Sequence, residues 1–216
     1  MFKLVKYFVF IVLFISLKVS ASSSATAHLE PFTPKIYPFS AKYNVLRKGD
    51  VVGSASRKLT IKDDNTLSYS YKTEAELFFY SDIREEFSTL KLQNKQLTPL
   101  HYIFKRSGTG PDKHVEWKFV PDENEAICIE EGEDNHHINM DFQNPIQDKL
   151  SYHLQQQLNL IDNPEQKVFN FRVIQNSGKI KNYVYEFDGE EELLLPYGSL
   201  KTIRLKREVV EKKKVT

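Results

Sequence analysis

The chain has 216 residues and carries 30 Lys and Arg against 29 Asp and Glu, a formal net charge of +1. So even a balance provides no field to gather nucleic acid, which is therefore not an expected partner. Cys128 is the only cysteine, so no internal disulfide can form and the apolar core must hold the fold.

The N-terminus has the layout of a secretory signal. Lys3 and Lys6 precede an unbroken apolar run from Tyr7 to Leu17, and small residues follow from Val19 to Ala27. A spanning helix needs about 20 apolar residues, and Lys18 ends this run well short of that. The expectation is a signal peptide over residues 1–21, cut after Ala21 or as late as Ala27, and a mature protein in the periplasm with no transmembrane span. Cutting after Ala21 leaves 27 basic against 29 acidic residues. No cysteine lies near the cut, so a lipid-modified N-terminal cysteine is not expected. Residues 22–38, rich in Ser, Thr, Ala and Pro, read as a tether, and residues 39–216 as a single β-rich domain.

Alternation of apolar and polar side chains marks strands with one wet face. Tyr43 and Val45 open the pattern, Arg47-Lys48-Gly49-Asp50 turns it, and Val51, Gly53, Ala55, Leu59 and Ile61 return. After a turn at Asp63-Asp64-Asn65, residues Leu67, Tyr69, Tyr71, Thr73 and Ala75 face one way and Ser68, Ser70, Lys72, Glu74 and Glu76 the other. Strands joined by tight polar turns form an antiparallel meander. Asp82, Glu85 and Glu86 near Arg84 read as a charged, solvated bend. Gly108-Thr109-Gly110-Pro111 reads as a hairpin turn, since a phosphate cradle would need a helix after it.

Val115, Trp117 and Phe119 resume the alternation, and Cys128 between Ile127 and Ile129 reads as a small buried apolar residue. A helix is predicted over about residues 145–161, with Leu150, Leu154, Leu158 and Ile161 at helical spacing, Asn144 as N-cap and Pro145 in the first turn. Strands follow at Phe169, Phe171 and Val173, at Tyr183, Tyr185 and Phe187, and at Ile203 and Leu205. Asn176-Ser177-Gly178 and Asp188-Gly189 supply turns. The predicted fold is mainly β: a large curved antiparallel sheet, or a partly open β-barrel, with one amphipathic helix.

Three landmarks in this order carry a resemblance. They are the Tyr43-x-Val45 strand leading to Gly53, then Asp148-Lys149-Leu150-Ser151 on the helix, then Glu192-Leu193 with Leu195-Pro196-Tyr197-Gly198-Ser199 before the last strand. Together they resemble the exported domain of unknown function family numbered 3108 of Gram-negative bacteria, from roughly Pro38 onward. The resemblance implies a periplasmic, mainly antiparallel protein without an established activity. That family runs on into a further strand pair, whereas this sequence stops at Lys214-Val215-Thr216, so the resemblance implies either a chain truncated before that pair or a divergent member of the family.

The sequence contains no recognisable catalytic constellation. His136-His137 are adjacent, so on a strand they would point to opposite faces and could not grip one metal ion; a solvated turn is the expectation. His153 has no Gly-x-Ser-x-Gly nucleophile to accompany it, so a hydrolase is unsupported. No cofactor and no metal site are expected.

Two functions of different kinds fit this architecture. In one, Tyr43, Tyr69, Tyr71, Trp117, Phe169, Phe171, Tyr183 and Tyr185 line a concavity closed by a lid of Leu150, Leu154 and Leu158, which holds a lipid or other apolar small molecule. In the other, the same residues form a filled core, and the protein uses a sheet edge or exposed patch to hold an envelope protein.

Overall fold

The computed structural model describes residues 36–62, 66–129, 136–196 and 198–207. The signal, the tether as far as residue 35, the Asp63-Asp64-Asn65 turn, residues 130–135, Tyr197 and the chain end from 208 lie outside the described residues. No helix among the described residues is long and apolar enough to cross a membrane.

Eight strands follow one another in the order of the sequence, each antiparallel to the last. They are β1 (Phe39–Arg47), β2 (Asp50–Ile61), β3 (Thr66–Leu77), β4 (Tyr80–Gln93), β5 (Gln96–Gly108), β6 (Lys113–Val120), β7 (Glu125–Ile129) and β8 (His136–Asn139). The sheet is open: β1 and β8 stand at its two ends and it does not close into a barrel. Two of its turns are set by two residues each with positive φ, Lys48-Gly49 and Asn94-Lys95. That backbone geometry matches the natural twist of paired strands, which is why such short loops suffice.

Val120 leads through a 3-10 turn at Pro121–Glu123 into β7. After β8 the chain makes β9 (Ile146–Gln147), helix α1 (Ser151–Asp162), β10 (Val168–Ile174), β11 (Ile180–Leu195) and β12 (Gly198–Lys206). Strand order in this second sheet is β12-β11-β10-β9, with β9 parallel to β10 and β11 antiparallel to β12.

The helix starts later than its spacing predicts, and Asn144 is not its cap. Ile146 and Gln147 instead pair with Arg172 and Val173. Asp148 makes the cap: its Oδ1 accepts the backbone N–H groups of Leu150 (2.8 Å) and Ser151 (2.6 Å), while Ser151 Oγ accepts the N–H of Asp148 (2.9 Å). Asp188-Gly189, expected as a turn, is an irregularity inside the continuous strand β11. Asp82 to Glu86, expected as a bend, lie within β4.

The chain divides into two compact units. In the larger, comprising Lys35–Leu158 and Phe171–Asn182, apolar side chains from the eight-stranded sheet form one core with Leu150, Leu154 and Leu158 of the helix region. In the smaller, comprising the described residues of Asn159–Asn170 and Tyr183–Thr216, Phe169, Tyr185, Thr202 and Leu205 are buried. There Lys167 lies 3.8 Å from the centre of the Phe187 ring and Arg207 3.9 Å from that of Tyr183.

A half-covered sheet face

Strand register shows which side chains share a face, because residues directly opposite in an antiparallel pair point the same way. One face carries Leu59, Leu67, Tyr69, Leu90, Tyr102 and Trp117, and these join the helix leucines in the core. Ser88, opposite Tyr69 and Tyr102, is also on this face, where its Oγ donates to Asp148 Oδ2. This half of the face is therefore covered.

Further along the same strands the face opens. Tyr69 is 2% exposed, while Tyr71, two residues on, is half-buried and Tyr43 is 39% exposed. Directly opposite Tyr71 lies Arg57, with its guanidinium 5.0 Å from the ring centre. In the next row, Thr73 opposes Arg84, Arg84 opposes Arg106, and Arg106 opposes Lys113. Three cations thus stand side by side on three neighbouring strands. A single carboxylate serves two of them: Asp82 accepts from Arg84 Nε and from Arg106 Nε, each at 2.6 Å. The Arg106 hydrogen bond is the main reason that the Asp82 carboxyl is held below its ordinary range.

The second carboxylate on this half-face, Glu86, accepts a hydrogen bond from the Tyr102 hydroxyl at 2.6 Å. Lys149 reaches over the Phe104 ring, 5.0 Å from its centre. Arg57, Arg84, Arg106 and Lys113 share this face by register with the carboxylates of Asp82 and Glu86, and Lys149 reaches over it from the helix side. Gly53, Ala55, Thr73 and Ala75 between them are small, which keeps this part of the face low. Burial raises the hydroxyl pKa values of Tyr69 and Tyr71 above the ordinary tyrosine value, with Arg57 acting against it, so both stay neutral hydrogen-bonding groups.

The candidate lining residues therefore divide. Tyr69, Trp117, Leu150, Leu154 and Leu158 belong to the packed core, and Phe171 is buried with its ring 5.9 Å from that of Tyr152. Tyr43 and Tyr71 lie on the open half of the sheet face. In the smaller unit Phe169 and Tyr185 are buried, and Tyr183 is half-buried beneath Arg207. The alternation assigned Tyr43, Tyr69 and Tyr71 to one face correctly. It gave no sign of the cation row, which becomes visible only when the register places Arg84, Arg106 and Lys113 side by side.

Outside this face the described ionisable groups form local ion pairs, such as Arg204 with Asp188 at 2.9 Å. His137, expected in a turn, lies in β8 and pairs with Glu125 at 2.7 Å, while His136 points to the opposite face. His101 pairs with Glu116 at 2.7 Å. Cys128 is buried in β7. Among the described residues no group of three or more His, Cys, Asp or Glu side chains could hold a metal ion. No protein-family profile, curated protein or solved structure matches the chain.

Proposed function

We propose that this is a non-catalytic periplasmic binding protein whose ligand is an amphiphile with an anionic head group. The seat is the open half of the sheet face. The head group meets Arg84, Arg106 and Lys113, and the apolar part lies against Tyr43 and Tyr71. One observation carries this reading: three cations stand in direct cross-strand register with one shared carboxylate. Like charges directly opposite one another destabilise a sheet, and an anion bridging them removes that cost. Arginine is suited to the task, because its planar fork matches phosphate and carboxylate oxygens. The periplasmic compartment rests on the signal-like N-terminus, and the family resemblance agrees with it.

Native mass spectrometry of protein purified from periplasm without detergent tests the proposal. The expected result is a non-covalent adduct bearing phosphate or carboxylate that is lost in an Arg84→Gln, Arg106→Gln variant. A bare mass, together with no uptake of offered anionic lipids, overturns it.

The second reading is an interaction protein of the envelope. Its support is that Tyr69, Trp117 and the three helix leucines fill one core rather than line a space. A bare mass in the same experiment turns attention to that reading.

A further inference from the structure

One end of the eight-stranded sheet carries the turns after β1, β3 and β5. Its most exposed apolar side chains lie at two of these turns. Phe78 is 90% exposed, Phe79 86% and Tyr80 67%, and at the neighbouring hairpin Leu46 and Val51 are 61% and 62% exposed. Scattered exposed apolar residues are ordinary, but three consecutive aromatics on a two-residue turn are not. The turn is also an unfavourable one for these residues. Leu77 pairs with Tyr80, so Phe78 and Phe79 form the whole loop, and Phe78 takes a φ of +54°. A bulky side chain in the left-handed region costs about 1–2 kcal/mol, where Asn or Gly would sit without strain. These rings lie outside the core and stack loosely in sequence, with centroids 6.3 and 6.4 Å apart.

We infer that this end is a membrane-interface contact, with the Phe78-Phe79-Tyr80 tip inserted among lipid head groups and upper acyl chains. Three features favour a lipid surface as the occupant. The apolar groups sit on two separate tips, and a fluid medium covers such prongs on every side, whereas a rigid partner would leave their flanks wet. Part of the backbone at the aromatic tip is also tied down from the neighbouring hairpin. Thr109 Oγ1 donates to the carbonyl of Phe79 (3.1 Å) and accepts the N–H of Ser81 (2.9 Å), and the N–H of Thr109 donates to the carbonyl of Ser81 (2.9 Å). Unpaired backbone groups are what a bilayer tolerates least. Finally, Arg47 and Lys48 at the β1 turn sit beside Leu46 and Val51, where cations meet head-group phosphates. Tyr80, behind the two phenylalanines, suits the head-group level.

This inference goes beyond the anion site and stands or falls separately from it. The test is flotation of the full mature protein with vesicles of phosphatidylcholine alone, which has no net charge for the cation row to follow. A parallel arm adds a quarter phosphatidylglycerol. The expected result is flotation of the wild type with both, and partitioning weaker by about tenfold or more in a Phe78→Ser, Phe79→Ser variant, since two aromatics that would enter the lipid are removed. Both positions lie outside the core, so the variant keeps the wild-type melting transition and circular dichroism. The Arg84→Gln, Arg106→Gln variant is expected to float with phosphatidylcholine as the wild type does. No flotation of the wild type, or unchanged flotation of the double Ser variant, overturns the inference. A dimer that dissociates in the double Ser variant, without flotation, overturns it too and assigns the tip to a second copy.

Discussion

Ser88, in the middle of β4, donates its hydroxyl hydrogen to Asp148 Oδ2 at 2.5 Å, joining the sheet to the helix cap across 60 positions of sequence. Asp148 is fully buried, and burial pushes its carboxyl up to about 6, against the pull of hydrogen bonds from Ser88, Ser151 and Leu150. The folded protein therefore holds this proton more tightly than the unfolded chain, whose value is near 3.8. Stability contributed here falls as pH rises from about 4 to about 6, by an amount on the order of 2–3 kcal/mol at most. Urea unfolding across that interval should show the decline in the wild type, and Asp148→Asn should flatten it. An equally steep decline in Asp148→Asn would refute the assignment.

Gln155 is a second tie between helix and sheet. Its Oε1 accepts the backbone N–H of Leu97 (2.7 Å) and Gln96 Nε2 (3.1 Å), and its Nε2 donates to the carbonyl of Lys95 (3.1 Å). Gln155→Ala leaves the Leu97 N–H buried without that partner, at a cost of about 1–3 kcal/mol. Chemical denaturation should show the midpoint falling with an unchanged slope. Gln155→Glu keeps an acceptor for Leu97 but loses the bond to Lys95, and is expected to fall between the two.

Gly178 sits in the Asn176–Gly178 turn with a φ of +76°, against the core. A Cβ there would lie 2.5 Å from Ile138 Cδ1 and 3.2 Å from Trp117 Cη2. Gly178→Ala combines backbone strain with overpacking, and a loss of about 2–4 kcal/mol is expected. Trp117 is the only tryptophan in the chain, so its fluorescence reports unfolding and any local shift together. A stability unchanged within experimental error would contradict this packing.

Asp82 is the one carboxylate bridging Arg84 and Arg106. Asp82→Asn should leave the cation row unbalanced and make stability depend on ionic strength, rising as salt screens the row. The wild type should show a shallower rise. Thermal melts at low and high sodium chloride decide it, and equal slopes would show that the row carries little repulsion. Protonation of Asp82 acts in the same direction. Its folded value is depressed, so the stability it contributes is present above its unfolded value and is lost as pH falls through the folded one.

The strands were legible because period-two alternation survives wherever one face is wet, as in Leu67 to Glu76. The helix start was not. Asn144-Pro145 is a common opening for a helix, and only the parallel pairing of Ile146 and Gln147 with Arg172 and Val173 rules it out. Asp148 and Ser151, three residues apart, make the cap instead. The open half of the face was hidden for a different reason. Alternation tells which way a side chain points, but not whether a distant helix lies over it, so Tyr69 and Tyr71 looked alike while one is buried and the other half-open.

The sequential order of the eight strands has a kinetic consequence. Each strand from β2 to β8 pairs with the one just before it, so the ladder can extend hairpin by hairpin with only short loops to close. The parallel pairing of β9 with β10 is different, because the whole crossover that carries the helix must be placed before β9 can meet β10. Folding should therefore run in two stages, with the meander forming early and the β9–β10 junction setting the pace of the final step.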